Sequence, residues 1–265
     1  MSSFEQASAI EPIAEQRFRA QIPDGWQQGR GAFGGLVLGV LARAMLAVET
    51  QPAYRLRALS GDICGPVMPG EATLSVEVLR RGKNLTNLDA RLTQQGAVLA
   101  RASAAIGAPR SVATQVRGLA TPPTAESWEP LPVLPVEPPI GPVFATHYEY
   151  RSSGPLPLSG GPEPRIDAFV REKQRDASLD APAVIALLDS VWPTLYSAET
   201  QPRALATVSF TAELCVDPTR ISGSVPLRYR SFLNAIADGF ATEFRELWAG
   251  DELVAMNQQT LSLIR

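Results

Sequence analysis

The chain has 265 residues, 45% hydrophobic and 19% charged, enough apolar material for a sizeable globular core. Its net charge is -3 with Lys and Arg scattered, so no basic stripe marks a nucleic-acid partner, although a small anionic ligand held by local contacts stays open. No apolar run approaches the roughly 20 residues of a membrane span, and the polar opening "MSSFEQASAIEPIAEQ" has neither the basic nor the apolar region of a signal peptide. Cys64 and Cys215 match no metal-ligand spacing and read as two reduced, buried thiols. These features predict a cytoplasmic protein with no membrane partner, no metal and no cofactor.

In chain order, the first pattern is "GRGAFGG", Gly29 to Gly35, which has the spacing of a dinucleotide fingerprint. The context does not fit one. A turn-like "IPDGWQQ" precedes it instead of a buried strand, and Glu49, the nearest acidic candidate for a ribose, lies at the end of the same helix. The glycines read instead as residues that let a buried helix pass close to a sheet, with helix-terminal amides free to polarise a ligand oxygen. The helix candidate is "GGLVLGVLARAMLAVE". Strand candidates follow in "RLRALSGDICG", "ATLSVEVLRRG", "TNLDARLTQQ" and "AVLARASAAIG".

Residues 108–164 hold about half of all prolines and read as an extended linker that packs along a surface through Leu131, Val133 and Leu134. The pattern then repeats. A helix candidate "DAPAVIALLDSVWPTLY" carries Asp180 placed to cap it and Pro182 in its first turn. Strand candidates "ALATVSFTAELCV", "SGSVPLRYRSF", "GFATEFRELWA" and "ELVAMNQQTLSLI" follow. The closing hairpins match in detail, with Gly96 and Gly250-Asp251 at the turns. Helix-then-strands, twice, predicts two copies of one α+β unit, each an antiparallel sheet around one helix, over residues 1–107 and 165–265. Consecutive strands argue against a doubly wound sheet.

There is no nucleophile elbow, zinc cluster or P-loop. His147, the single histidine, reads as a surface or strand-edge imidazole. Three polar residues stand out by position. Asp189 falls within the apolar stripe of its helix, one turn from Ile185 and from Trp192, where burial would raise its pKa toward that of a usable base. Gln259 shares a face with Leu253, Ala255, Asn257, Leu261 and Leu263, as a core amide or a channel-lining one. Thr207 opens its strand on a face with Ser209 and Thr211, opposite Val208, Phe210 and Leu214. None has a polar counterpart in the first half, where Gln259 overlays on Ala104, so one working site per chain is expected.

The motifs "GRGAFGGLVLGVLARAM" and "MPGEATLSVEVLRRGKNLTNLDARLTQQGAVLARASAAIG" resemble those of the double-hotdog acyl-CoA thioesterases. Residues 62–70, "DICGPVMPG", depart from the family pattern. The resemblance implies a double hotdog, a fatty acid metabolism setting and an acyl-CoA substrate. It assigns catalysis to Asp189 in "LLDSVWPTLY", Thr207 in "LATVSF" and Gln259 in "LVAMNQQTLSL", which together orient water for attack on the thioester. Gly34 and Gly35 then supply amides toward the substrate carbonyl. A homo-oligomer of double hotdogs stays open. Rival readings are a non-catalytic acyl-thioester-binding protein and a hydratase or dehydratase, for which the helix lacks the expected His.

Overall fold

The computed structural model describes residues 2–264 except 112–117, 119, 125 and 126. A short helix α1 (Phe4–Ala7) precedes strands β1 (Ile10–Ala14) and β2 (Arg17–Ile22). A two-residue hairpin, β3 (Gln27–Gln28) and β4 (Gly31–Ala32), leads into helix α2 (Gly34–Val48). Strands β5 (Arg55–Ile63), β6 (Gly70–Arg81), β7 (Leu85–Gln94) and β8 (Ala97–Gly107) complete the first unit. The second begins at β9 (Tyr148–Ser152) and β10 (Arg165–Glu172), continues with helix α3 (Ala181–Ser190), and ends in β11 (Leu205–Leu214), β12 (Leu227–Ala237), β13 (Phe240–Ala249) and β14 (Glu252–Leu263).

Twelve strands form one antiparallel sheet in the order β1-β2-β6-β7-β8-β5-β11-β14-β13-β12-β10-β9. The order is a palindrome of two six-stranded units, joined where β5 pairs with β11 from Ala58↔Glu213 to Asp62↔Ser209. The two expected sheets are therefore joined edge to edge, which removes the exposed edge each would otherwise present.

The duplication extends to irregularities. A β-bulge interrupts β5 between Leu56 and Ala58, opposite Ile106 and Ala105. The same bulge interrupts β11 between Thr207 and Ser209, opposite Leu261 and Thr260. Counting from these bulges superposes Leu56 on Thr207 and Ala104 on Gln259. Across the next ladder Leu88 falls on Glu243 and Ala90 on Arg245. Cys64 and Cys215 also coincide, each N–H bonding the equivalent carbonyl, Leu99 and Val254.

Both helices are enclosed by the curved sheet. Every residue of α3 is buried, and all but four of the fifteen in α2. The Asp180 carboxylate caps α3 at the Ala183 N–H (3.0 Å) and pairs with Arg43 of α2 (3.0 Å). The helix stops at Ser190 because Pro193 disfavours helical backbone before it. The helices run antiparallel and very close. A Cβ at Gly35 would lie 2.9 Å from the Ala186 Cα, and one at Gly39 would lie 3.2 Å from the Pro182 carbonyl oxygen. Glycine is what permits the approach. The remaining glycines of "GRGAFGG" serve other steric ends: Gly29 has φ +65°, and Gly31 packs against the Val67 backbone.

Several expectations need correction. Both cysteines are exposed rather than buried. His147 is buried, stacked on Trp26 at 3.9 Å, with Nε2 donating to the Gly25 carbonyl (3.0 Å). The Pro-rich segment ends in regular structure, the 3-10 turn Val143–His147 and β9. Upstream it is pinned by backbone contacts: Arg151 holds the Trp128, Glu129 and Leu131 carbonyls, and the Leu134 N–H bonds the Tyr150 carbonyl. Leu134 and Val136 pack on the core, whereas Val133 is exposed. Strands β1, β2 and β10 also lie outside the strand candidates read from sequence.

Candidate active site

The antiparallel helices place the last turn of α3 beside the first turn of α2, and Asp189 sits at that crossing. A Cβ on Gly34 would lie 2.7 Å from Asp189 Oδ2 and 2.9 Å from Ile63 Cδ1. The Gly34 N–H makes no hydrogen bond among the described residues, and the Gly35 N–H lies against the Asp189 carboxyl. Helical bonding resumes with the N–H groups of Leu36 and Val37, both donating to the Phe33 carbonyl. The carboxylate thus sits at the positive end of a fifteen-residue helix, with the Gly35 amide turned to it.

Asp189 is 7% exposed, and its Oδ2 is buried without a hydrogen-bond partner. Its other oxygen lies 3.5 Å from Arg245 Nη1. Burial pushes the Asp189 carboxyl up to about 6, against the opposing pull of Arg245 and of the Gly35 amide, while Glu243 adds to the rise. A carboxylate with a free buried oxygen and a pKa near neutrality has the character of a general base.

The facing sheet supplies the rest. On β14 the inward residues are Ala255, Asn257, Gln259 and Leu261, all buried as the alternation predicts. Asn257 turns its amide nitrogen to the Thr211 (2.7 Å) and Gln258 (3.2 Å) carbonyls. Gln259 donates from Nε2 to Glu243 (3.2 Å), and its Oε1 is buried and unpartnered. Glu243 also accepts from Arg245, with Nε at 2.8 Å and Nη2 on the same oxygen, and from the Thr194 N–H (2.7 Å). Arg245 Nη1 reaches back to the Leu188 carbonyl at 2.8 Å. Asp189, Arg245, Glu243 and Gln259 therefore form one buried chain across two strands and a helix end. The Tyr229 hydroxyl is buried close by on β12, and burial holds it protonated.

Thr207 is placed differently from its sequence reading. The bulge at Val208 inverts the alternation: Thr207 pairs with Leu261 and Phe210 with Gln259. Thr207 therefore lies on the inward face with Phe210, not with Ser209 and Thr211. It is half-buried, one inward row beyond Gln259, and makes no hydrogen bond to Asp189 or Gln259. Asp189, Gly34 and Gly35 are brought together, Gln259 joins through the Glu243–Arg245 pair, and Thr207 lines the rim.

Sequence reasoning missed Glu243 and Arg245. The alternation of "FATEFRELWA" puts both charges on one face with Ala241 and Leu247, but Phe240, Phe244 and Trp248 occupy the other, so the pattern alone turns the charges outward. Among the described residues no cluster of metal-ligating side chains occurs, and no helix is long and apolar enough to cross a membrane.

Comparison with known proteins agrees with this architecture. A hot dog fold protein of unknown function from Alicyclobacillus acidocaldarius superposes with a TM-score of 0.90 at 19% identity, covering 100% of this chain and 99% of that one. The tesB protein of Mycobacterium avium subspecies paratuberculosis gives 0.82 at 16%, covering 99% and 98%. An acyl-CoA thioesterase II of Mycobacterium marinum gives 0.77 at 16%, with the same coverage. At these identities the likeness shows a shared fold. No curated protein sequence matches the chain. The acyl-CoA thioesterase N-terminal domain matches residues 22–107 and the acyl-CoA thioesterase C-terminal domain matches residues 117–263. With both halves matched in order, the chain belongs to the acyl-CoA thioesterase family.

Proposed function

We propose that this thioester hydrolase cleaves an acyl-CoA by direct water attack, with Asp189 as the general base. The observation that carries the reading is the buried Oδ2 of Asp189, without a side-chain partner, packed against Gly34 at the start of α2. The Gln259 amide presents its oxygen, not its nitrogen, because Glu243 can only accept. Asp189 Oδ2 and Gln259 Oε1 are then two acceptors suited to the two hydrogens of one water. This leaves a lone pair of its oxygen free to attack the thioester carbon. The Gly34 and Gly35 N–H groups receive the carbonyl oxygen as charge develops on it. The Thr207 hydroxyl, at the rim of the same face, steadies the water or the incoming thioester.

The new C–O bond forms as Asp189 takes the water proton. Collapse of the tetrahedral adduct breaks the C–S bond, and the proton passes to the departing thiolate. The products are a free acid and CoA. A panel of acyl-CoAs with a thiol-detecting reagent tests this. Release of one free thiol per acyl-CoA consumed is the expected result. Tight binding without thiol release, or loss of enoyl absorbance without it, would place the chain among the binders or the hydratases instead.

A further inference from the structure

We propose that Glu243 and Arg245 are positioning residues of this site. Arg245 anchors the Asp189 carboxylate, and Glu243 locks the Gln259 amide with its oxygen toward the water. The inference rests on the hydrolytic reading above and adds residues that neither the sequence motifs nor the family match assigns.

The geometry makes the orientation obligatory. Glu243 is fully buried and ringed by donors, from Arg245, Gln259 Nε2 and the Thr194 N–H. A carboxylate has nothing to donate, so the Gln259 group that meets it is the NH2. Without that contact the amide is free to turn over and present N–H groups where the water needs an acceptor. Arg245 is 1% exposed and spans from Glu243 to the Leu188 carbonyl and the Asp189 Oδ1, tying the last turn of α3 to β13.

The internal duplication argues that this pair is there for function. The same two positions in the first unit are Leu88 and Ala90, both buried and apolar, in a strand of identical pairing. The fold thus builds this part of the sheet without charges. A buried ion pair costs desolvation that apolar packing avoids, and replacing such pairs by apolar residues is often neutral or stabilising. The costly pair persists only in the unit whose helix carries Asp189.

The test transplants the twin's residues as the double variant Glu243→Leu/Arg245→Ala, alongside Glu243→Gln alone and in a Gln259→Ala background. Thiol release gives kcat and KM, and thermal melting reports folding. The double variant is expected to fold as the apolar twin does, with a Tm lowered by the Thr194 N–H and Leu188 carbonyl it leaves unpartnered, and to lose about a hundredfold or more in kcat with KM little changed. Glu243→Gln is expected to lower kcat about tenfold in the parent and less than about twofold once Gln259 is Ala, because the first residue acts through the second. A double variant that fails to fold or keeps parental kcat, or a Glu243→Gln loss that is the same in both backgrounds, overturns the proposal. If the parent itself releases no thiol, the hydrolytic reading fails instead.

Discussion

Asp189 is a carboxylate held where it would rather be neutral, and this has opposite consequences for stability and activity. In the unfolded chain the group titrates near 3.8, and in the fold burial raises it to about 6. Between these values the folded state keeps a proton that the unfolded state has lost. Stability contributed by this group is therefore greatest below 3.8, falls as pH rises toward 6, and levels off above. At about 1.4 kcal/mol per pKa unit, the charged form costs at most about 3 kcal/mol at neutral pH. Asp189→Asn is expected to unfold at higher urea than the parent at pH 8, with the gap closing toward pH 4. A variant less stable than the parent at pH 8 contradicts the assignment of a desolvated carboxylate. A general base must be ionised, so with Asp189 in the proposed role kcat/KM is expected to fall as pH drops through about 6. An acidic limb at the ordinary aspartate value, below about 4.5, would refer activity to another group.

At the level of elements, the helix crossing makes testable demands on the two leading glycines of α2. A Cβ on Gly35 meets the Ala186 backbone at 2.9 Å and the Phe33 ring at 2.5 Å, so Gly35→Ala must push the helices apart. The expected loss is about 1–3 kcal/mol in urea unfolding, despite the better helix propensity of Ala. A Cβ on Gly34 meets the Asp189 carboxylate instead, so Gly34→Ala is expected to lower thiol release more than it lowers Tm. The reverse ranking of the two variants would contradict the crossing described above.

Much of this arrangement is legible in the sequence. Both helices, the Asp180 cap and the consecutive strands follow from periodicity and capping residues. Asp189 and Gln259 were visible as polar interruptions of apolar faces. What was not legible has physical causes. The bulge at Val208 shifts the alternation by one residue and moves Thr207 to the face opposite the one its pattern implies, and a bulge leaves no mark in a run such as "LATVSF". Glu243 and Arg245 look like ordinary solvent-facing charges until the pairing with β14 turns them inward. Edge strands β1 and β9 are short and proline-flanked or proline-containing, and they take their structure from β2 and β10 rather than from their own pattern. His147 is buried against Trp26, which lies 121 residues earlier in the chain.

The whole molecule is a duplicated unit in which one copy has kept polar chemistry and the other has not. Leu56, Leu88, Ala90 and Ala104 stand where Thr207, Glu243, Arg245 and Gln259 stand in the second copy. The shared β5–β11 seam lets the first unit contribute the N-terminus of α2 to the proposed site, whose carboxylate and amide side chains come from the second. Both units thus contribute to the proposed site, and one such site per chain is expected. A non-hydrolysable thioether analogue of an accepted acyl-CoA is expected to bind by calorimetry with a stoichiometry of one per chain. Two equivalent sites per chain would show that the apolar copy also receives the thioester.

The most direct test of the account is single-turnover thiol release by Asp189→Asn, measured on each acyl-CoA that the parent hydrolyses. Removing a general base is expected to slow the chemical step about 10²–10⁴-fold, while the variant stays folded and still binds the substrate. A variant that hydrolyses those substrates at near-parental rates would contradict the central role given to Asp189.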